Sequence, residues 1–122
     1  MIEKQLLSRR IGIIPDEDEP PRVIVGEVLA VRRSVETVVL ELIEDVEVDN
    51  QEVTYAVASA RYEGVTFHCL SKGESVLCGV TFATSAQFKK DKPFDVSWWR
   101  GGTARISTLL PLLMYCSQLS EA

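Results

Sequence analysis

The sequence lacks the residue patterns on which most enzymes and metalloproteins depend. It has one histidine, His68, and three cysteines that form no C-x-x-C pair, so a zinc site is not expected. It contains no G-x-S-x-G motif, no P-loop and no dinucleotide-binding glycine pattern. No orienting partner can be assigned to His68, and we therefore expect no catalytic residue, no metal and no cofactor.

Long apolar runs are also absent. No stretch approaches the roughly 18 to 20 residues that a membrane-spanning helix needs, and the first ten residues, with charges at Glu3, Lys4, Arg9 and Arg10, lack the order of a signal peptide. At 122 residues the chain is long enough to bury roughly two thirds of its unfolded surface in one core. We expect a soluble, cytoplasmic protein with a single domain, residues 1–122.

Charge is distributed unevenly along the chain. Residues 1–52 contain six Lys or Arg and thirteen Asp or Glu, a net −7, whereas residues 53–122 contain seven and five, a net +2. The total of −5 argues against a nucleic-acid binder. The asymmetry would suit head-to-tail or heterologous association, although a solvated acidic face is the simpler interpretation. The acidic, proline-flanked residues 15–21 are expected to form an exposed loop, and their spacing does not match a calcium-binding loop.

The most informative pattern is three strand signals in residues 53–83. Glu63-Gly64 and Gly73-Glu74 are each flanked by alternating apolar residues, which predicts two tight hairpins. Counting outward from these turns places Ala58 opposite Cys69 and Cys69 opposite Cys78. A Cys69–Cys78 disulfide is geometrically conceivable at such a position, but reduced, buried thiols are expected in the cytoplasm.

This register sorts the side chains onto two faces. The predicted dry face comprises Ala56, Ala58, Ala60, Tyr62, Val65, Phe67, Cys69, Val76, Cys78, Val80 and Phe82. The opposite face is mixed and could meet solvent: Tyr55, Val57, Ser59, Arg61, Thr66, His68, Leu70, Lys72, Ser75, Leu77, Gly79 and Thr81.

The flanking segments extend the β pattern. Residues 22–32 and 36–43 predict a first hairpin, residues 11–15 look extended, and residues 2–9 could form a short helix. Residues 44–51 are either a loop or frayed strand ends.

Two interpretations compete after residue 93. In the preferred one, Gly101-Gly102 is a hairpin turn and a short helix begins at Pro111 and ends at Leu119. In the other, Thr103 caps a longer helix. Residues 109–119 are apolar on nearly every side, so we expect them to be covered by the sheet or by a second copy.

Trp98 and Trp99 are the clearest functional lead. Adjacent strand residues point to opposite faces, and a half-buried sheet can hide only one of two neighbouring indoles. Residues 84–105 also contain five cations and two anions, including Arg100 and Arg105. An aromatic group beside cations is typical of a binding surface, although Trp98 could equally stack on Arg105 while Trp99 fills the core.

The expected fold is mainly β, or α+β: an antiparallel meander of about six to seven strands curled into a barrel or folded sheet, with a short C-terminal helix.

The expected function is that of a small, non-enzymatic binding or adaptor domain, homo-oligomeric, with an aromatic and basic surface around residues 98–105. A small molecule or a protein could be its partner. One alternative is a β-barrel that binds a small apolar ligand, since Ala56, Ala58, Ala60 and Gly79 could leave room inside. The other is an OB-like binder of single-stranded nucleic acid.

Overall fold

Six antiparallel strands close into a β-barrel in the computed structural model, which describes residues 7–16, 22–32, 36–60, 70, 72–94 and 100–108. Each strand pairs with its neighbours in sequence, and the last pairs with the first. The architecture is therefore an up-and-down barrel. The strands are β1 (Arg10–Pro15), β2 (Ile24–Arg32), β3 (Thr37–Val48), β4 (Gln51–Ala60), β5 (Val76–Ala83) and β6 (Arg100–Ser107).

Closure takes place between β1 and β6. Ile13 faces Ile106 and Pro15 faces Ala104, and the backbone N–H of Asp16 donates to the Thr103 carbonyl over 3.0 Å. Since hydrogen-bonded and non-hydrogen-bonded pairs alternate in an antiparallel ladder, Pro15 occupies a non-hydrogen-bonded position. Its missing N–H therefore leaves no gap in the ladder.

The barrel interior is filled by branched side chains from every strand. The largest fully buried ones include Ile11, Ile13, Ile24, Leu40 and Ile106. Fully burying one such side chain contributes about 1.5–3 kcal/mol, and small barrels are ordinarily filled in this way. The strands pack closely at Gly26, where an added Cβ would lie 2.9 Å from the Leu40 Cβ.

One barrel end is closed by the turn before β5. Leu70 is fully buried in the core, and its carbonyl accepts from the Gly73 N–H at 3.0 Å and from the Thr108 hydroxyl at 3.0 Å. The Ser107 hydroxyl donates to the Gly73 carbonyl at 3.1 Å. These bonds attach the turn to the end of β6.

A distal hairpin, residues 43–54, lies at the opposite barrel end. Its tip is Asp49-Asn50, with φ values of 50° and 65°, the pattern of a type I′ turn. The register shifts between Glu41 and Val46, a bulge that bends the strands. Val46 and Val48 pack against the core. Residues 44–51 are thus paired strand and turn rather than loop.

The predicted meander and barrel are confirmed, but the predicted order in the middle of the chain is wrong. β4 pairs directly with β5: Ala58 faces Val80, and Ala60 faces Cys78. Because β3 and β6 occupy the other edges of these strands, no strand fits between them, and Ala58 and Cys78 are not partners of Cys69. The Gly73 turn belongs to the β4–β5 connection. The Glu63-Gly64 turn lies outside the described residues.

The assignment of side chains to faces is largely right. Ala56, Ala58, Cys78, Val80 and Phe82 all belong to the core, because a strand keeps its alternation whichever strand it pairs with. The expectation that Tyr55, Val57 and Leu70 could meet solvent is wrong, since they are 7%, 5% and 0% exposed.

The expected turn at Gly101-Gly102 is also wrong. Both glycines lie within β6, opposite Thr81 and Val80, so residues 103–107 form strand rather than helix. The expected helix from Pro111 to Leu119, the helix over residues 2–9 and most of the acidic loop lie outside the described residues.

Candidate functional site

The outward side of β5 and β6 forms an open surface, here called the β5–β6 face. It consists of Leu77, Gly79 and Thr81 on β5 with Thr103 and Arg105 on β6, which face one another in the register. Arg105 is exposed and the other four are half-buried. A Cβ added at Gly79 would meet nothing within 4 Å. The face therefore has a shallow floor between hydroxyl groups and a guanidinium.

Asp16, the first acidic residue of the acidic loop, is attached to this face. The Thr103 hydroxyl donates to Asp16 Oδ2 over 2.9 Å, in addition to the backbone bond between the two residues. The Asp16 carboxylate therefore lies beside Thr103, and Arg105 is two residues further along β6.

The outward side of β3 and β4, by contrast, is covered by residues 84–94, here called the covering segment. It begins with a closed turn, in which the Thr84 N–H donates to Gln87 Oε1 at 3.0 Å and the Gln87 N–H donates to the Thr84 carbonyl at 3.1 Å. Phe88 then stacks on Tyr55, with ring centroids 3.9 Å apart and planes inclined by 14°. A stacked pair of this kind contributes about 0.5–1.5 kcal/mol beyond the buried area.

The far end of the covering segment contacts β2. The Arg32 guanidinium lies 4.4 Å from the centre of the Phe94 ring, a cation–π geometry. Val39 and Val57 face each other between these two contacts and are 0% and 5% exposed although they point away from the core. The covering segment thus explains why an outward-facing apolar pair is buried.

Tyr55 connects the covering segment to an acidic neighbour. Its hydroxyl donates to Glu41 Oε2 over 3.4 Å. Burial, followed by the charge of Glu41, raises the pKa of Tyr55 above its ordinary value. The phenol therefore remains a neutral donor at physiological pH.

Cys78 is a buried free thiol. Burial, with a smaller contribution from the charge of Glu36, raises its pKa from 9.0 to about 12. Since the thiolate is the nucleophilic form, Cys78 is unreactive at physiological pH and serves as a small apolar core residue.

The predicted site residues are only partly placed. Arg105 is exposed on β6, and Arg100 begins β6 opposite Phe82, but the Arg100 side chain, Trp98, Trp99 and His68 lie outside the described residues. Sequence reasoning missed the contacts of Phe88 and Phe94. Both phenylalanines are visible in the sequence, but their partners are distant along the chain and only the folded barrel brings them together.

Within the described ranges, no group of three or more His, Cys, Asp or Glu side chains could hold a metal ion. The part of the chain that the structure describes also contains no helix of the length and apolarity needed to cross a membrane. No protein-family model, no curated protein and no solved structure matches this chain.

Proposed function

We propose that this protein is a non-enzymatic adaptor domain that self-associates and binds a protein partner on the β5–β6 face. The observation that carries the proposal is the contrast between two sides of one barrel. Outward-facing Val39 and Val57 on β3 and β4 are buried, whereas Leu77, Gly79 and Thr81 on β5 remain half-exposed around an open floor.

The chemistry of the face favours a partner that presents carboxylates. Arg105 is the exposed cation of the face. Guanidinium groups bind carboxylates through paired, charge-assisted hydrogen bonds. Leu77 supplies an apolar contact next to Arg105, as interface centres usually require.

Two other functions have less support. An apolar ligand inside the barrel would need room. The core holds several fully buried Ile and Leu side chains beside the small Ala56, Ala58 and Ala104, and it includes Leu70 at one end, with Val46 and Val48 packed against it at the other. A nucleic-acid site of the OB type would require a five-stranded Greek-key barrel, whereas this barrel has six strands in sequential order.

The sequence offers a spectroscopic probe, since its two tryptophans, Trp98 and Trp99, immediately precede β6 along the chain. A polyglutamate peptide titrated into the full chain should change tryptophan emission, and the substitution Arg105→Ala should weaken that response. The matched control is Lys72→Ala, which changes an exposed lysine in the turn before β5. An unchanged emission, or an equal response from Arg105→Ala, would reject the face. Quenching by a single-stranded oligonucleotide that fades with salt would favour the nucleic-acid alternative.

A further inference from the structure

The large hydrophobic side chains that the described structure leaves exposed are associated with β2 and β3. Leu29 on β2 is 41% exposed and Ile43 on β3 is 40% exposed. Leu7, 43% exposed, precedes Ser8, whose N–H donates to the Val28 carbonyl next to Leu29. Exposed apolar side chains grouped on one side of a small domain often mark an interaction surface.

Carboxylates lie between and beside these apolar residues. Glu27 and Glu41 face each other directly across β2 and β3, an arrangement of like charges that destabilises a sheet. Arg10 on β1 is the cross-strand neighbour of Glu27. Beyond Ile43, the distal hairpin exposes Glu44, Asp45, Glu47 and Glu52. Additional cations at this surface would reduce the repulsion.

The covering segment brings such cations to the border of the acidic surface. It contacts Tyr55 on β4 and Arg32 on β2, so it crosses the outside of β3. Between these contacts it exposes Lys89, Lys90 and Lys92, with Asp91 as the one carboxylate in that run. A basic patch and an acidic patch therefore adjoin on one face of the barrel.

We propose that a second copy of this chain docks on this face through a two-fold contact. Leu29 and Ile43 supply its apolar contacts, and the lysines of each copy lie against Glu44 and Asp45 of the other. A two-fold contact uses the same patch on both subunits, and adjoining patches of opposite sign are complementary to themselves under such a rotation. This inference rests on the proposed self-association and names its surface, which is separate from the β5–β6 face.

Charge reversal tests the contact, measured by sedimentation velocity on the full chain across the micromolar range. In a dimer of the double variant Lys89→Glu, Lys90→Glu, carboxylates face carboxylates at both charge contacts. In a dimer of the counterpart double variant Glu44→Lys, Asp45→Lys, cations face cations at both. Each variant alone should dimerise at least about tenfold more weakly than the original chain. Mixing the two should restore dimers, because both contacts then join opposite charges. Lys72→Glu, outside both patches, should leave the dimer unchanged.

The outcomes separate the two proposals. If the original chain stays monomeric throughout, self-association fails and this surface fails with it. If the chain dimerises but the reversed variants dimerise equally well, or if their mixture restores nothing, only this surface is wrong. Weaker dimerisation of Ile43→Ser and a dimer that loosens with added salt support the contact. A dimer whose affinity is unchanged both by Ile43→Ser and by added salt contradicts the proposed contact.

Discussion

Gly26 and Gly79 are both strand glycines, yet adding one methyl group to each should change stability in opposite directions. At Gly26 the new Cβ would lie 2.9 Å from the Leu40 Cβ and 3.3 Å from Leu42 Cδ2. Overpacking of this kind costs about 1–3 kcal/mol. Replacing glycine also restricts the unfolded chain, which returns about 0.4–1 kcal/mol. Gly26→Ala should therefore lower the free energy of unfolding by about 0.5–2 kcal/mol.

Gly79→Ala is the matched control. A Cβ there meets nothing within 4 Å, so the conformational gain should remain and stability should rise by about 0.5–1 kcal/mol. Urea denaturation measures both changes as midpoint shifts at constant slope. In thermal scans, each kcal/mol should appear as roughly 3–5 °C for a chain of this size. If Gly26→Ala is as stable as the original, or if both variants shift alike, the proposed packing of Gly26 against Leu40 is wrong.

Three further predictions concern the core, the covering segment and the closed barrel end. Because Cys78 stays protonated when folded but ionises from a pKa near 9.0 when unfolded, the free energy of unfolding should fall between about pH 9 and about pH 12. Urea titrations should show a shallower fall in Cys78→Ala, and an equal fall would refute the buried thiol. Phe88→Ala removes the ring that stacks on Tyr55, so trypsin should cut the covering segment faster; an unchanged cleavage rate would contradict the stacking. Thr108→Val removes the hydroxyl bond to the Leu70 carbonyl and should lower the free energy of unfolding by about 0.5–1.5 kcal/mol, because that carbonyl keeps its bond from the Gly73 N–H; a neutral result in calorimetry would show that the hydroxyl bond is not formed.

The strands and their inward faces could be predicted because alternation is a local property. Spacing alone assigns Ala56, Ala58, Val80 and Phe82 to the core, and all four belong to it. The tip at Asp49-Asn50 was missed because it contains no glycine, although Asp and Asn also tolerate the positive φ that it requires.

Strand order could not be read in the same way. The Gly73 turn and the alternation of residues 65–72 are compatible with a hairpin locally, but the pairing of Ala58 with Val80 depends on β3 and β6 occupying the remaining edges. That is a property of the closed barrel and not of any one segment. The burial of Val39 and Val57 is equally non-local, because the covering segment begins more than twenty-five residues further along the chain. Spacing therefore predicts which residues face inward, but not which outward surface stays uncovered.

The central claim is that β1 and β6 close the barrel, and the Hα–Hα nuclear Overhauser effect between Ile13 and Ile106 tests it most directly. These residues form a non-hydrogen-bonded antiparallel pair, in which the Cα atoms approach to about 4.5 Å. We expect a strong cross-peak between their Hα protons. Its absence from a spectrum that shows the equivalent contacts between β4 and β5 would mean that the sheet is open, and the assignment of faces would then have to be abandoned.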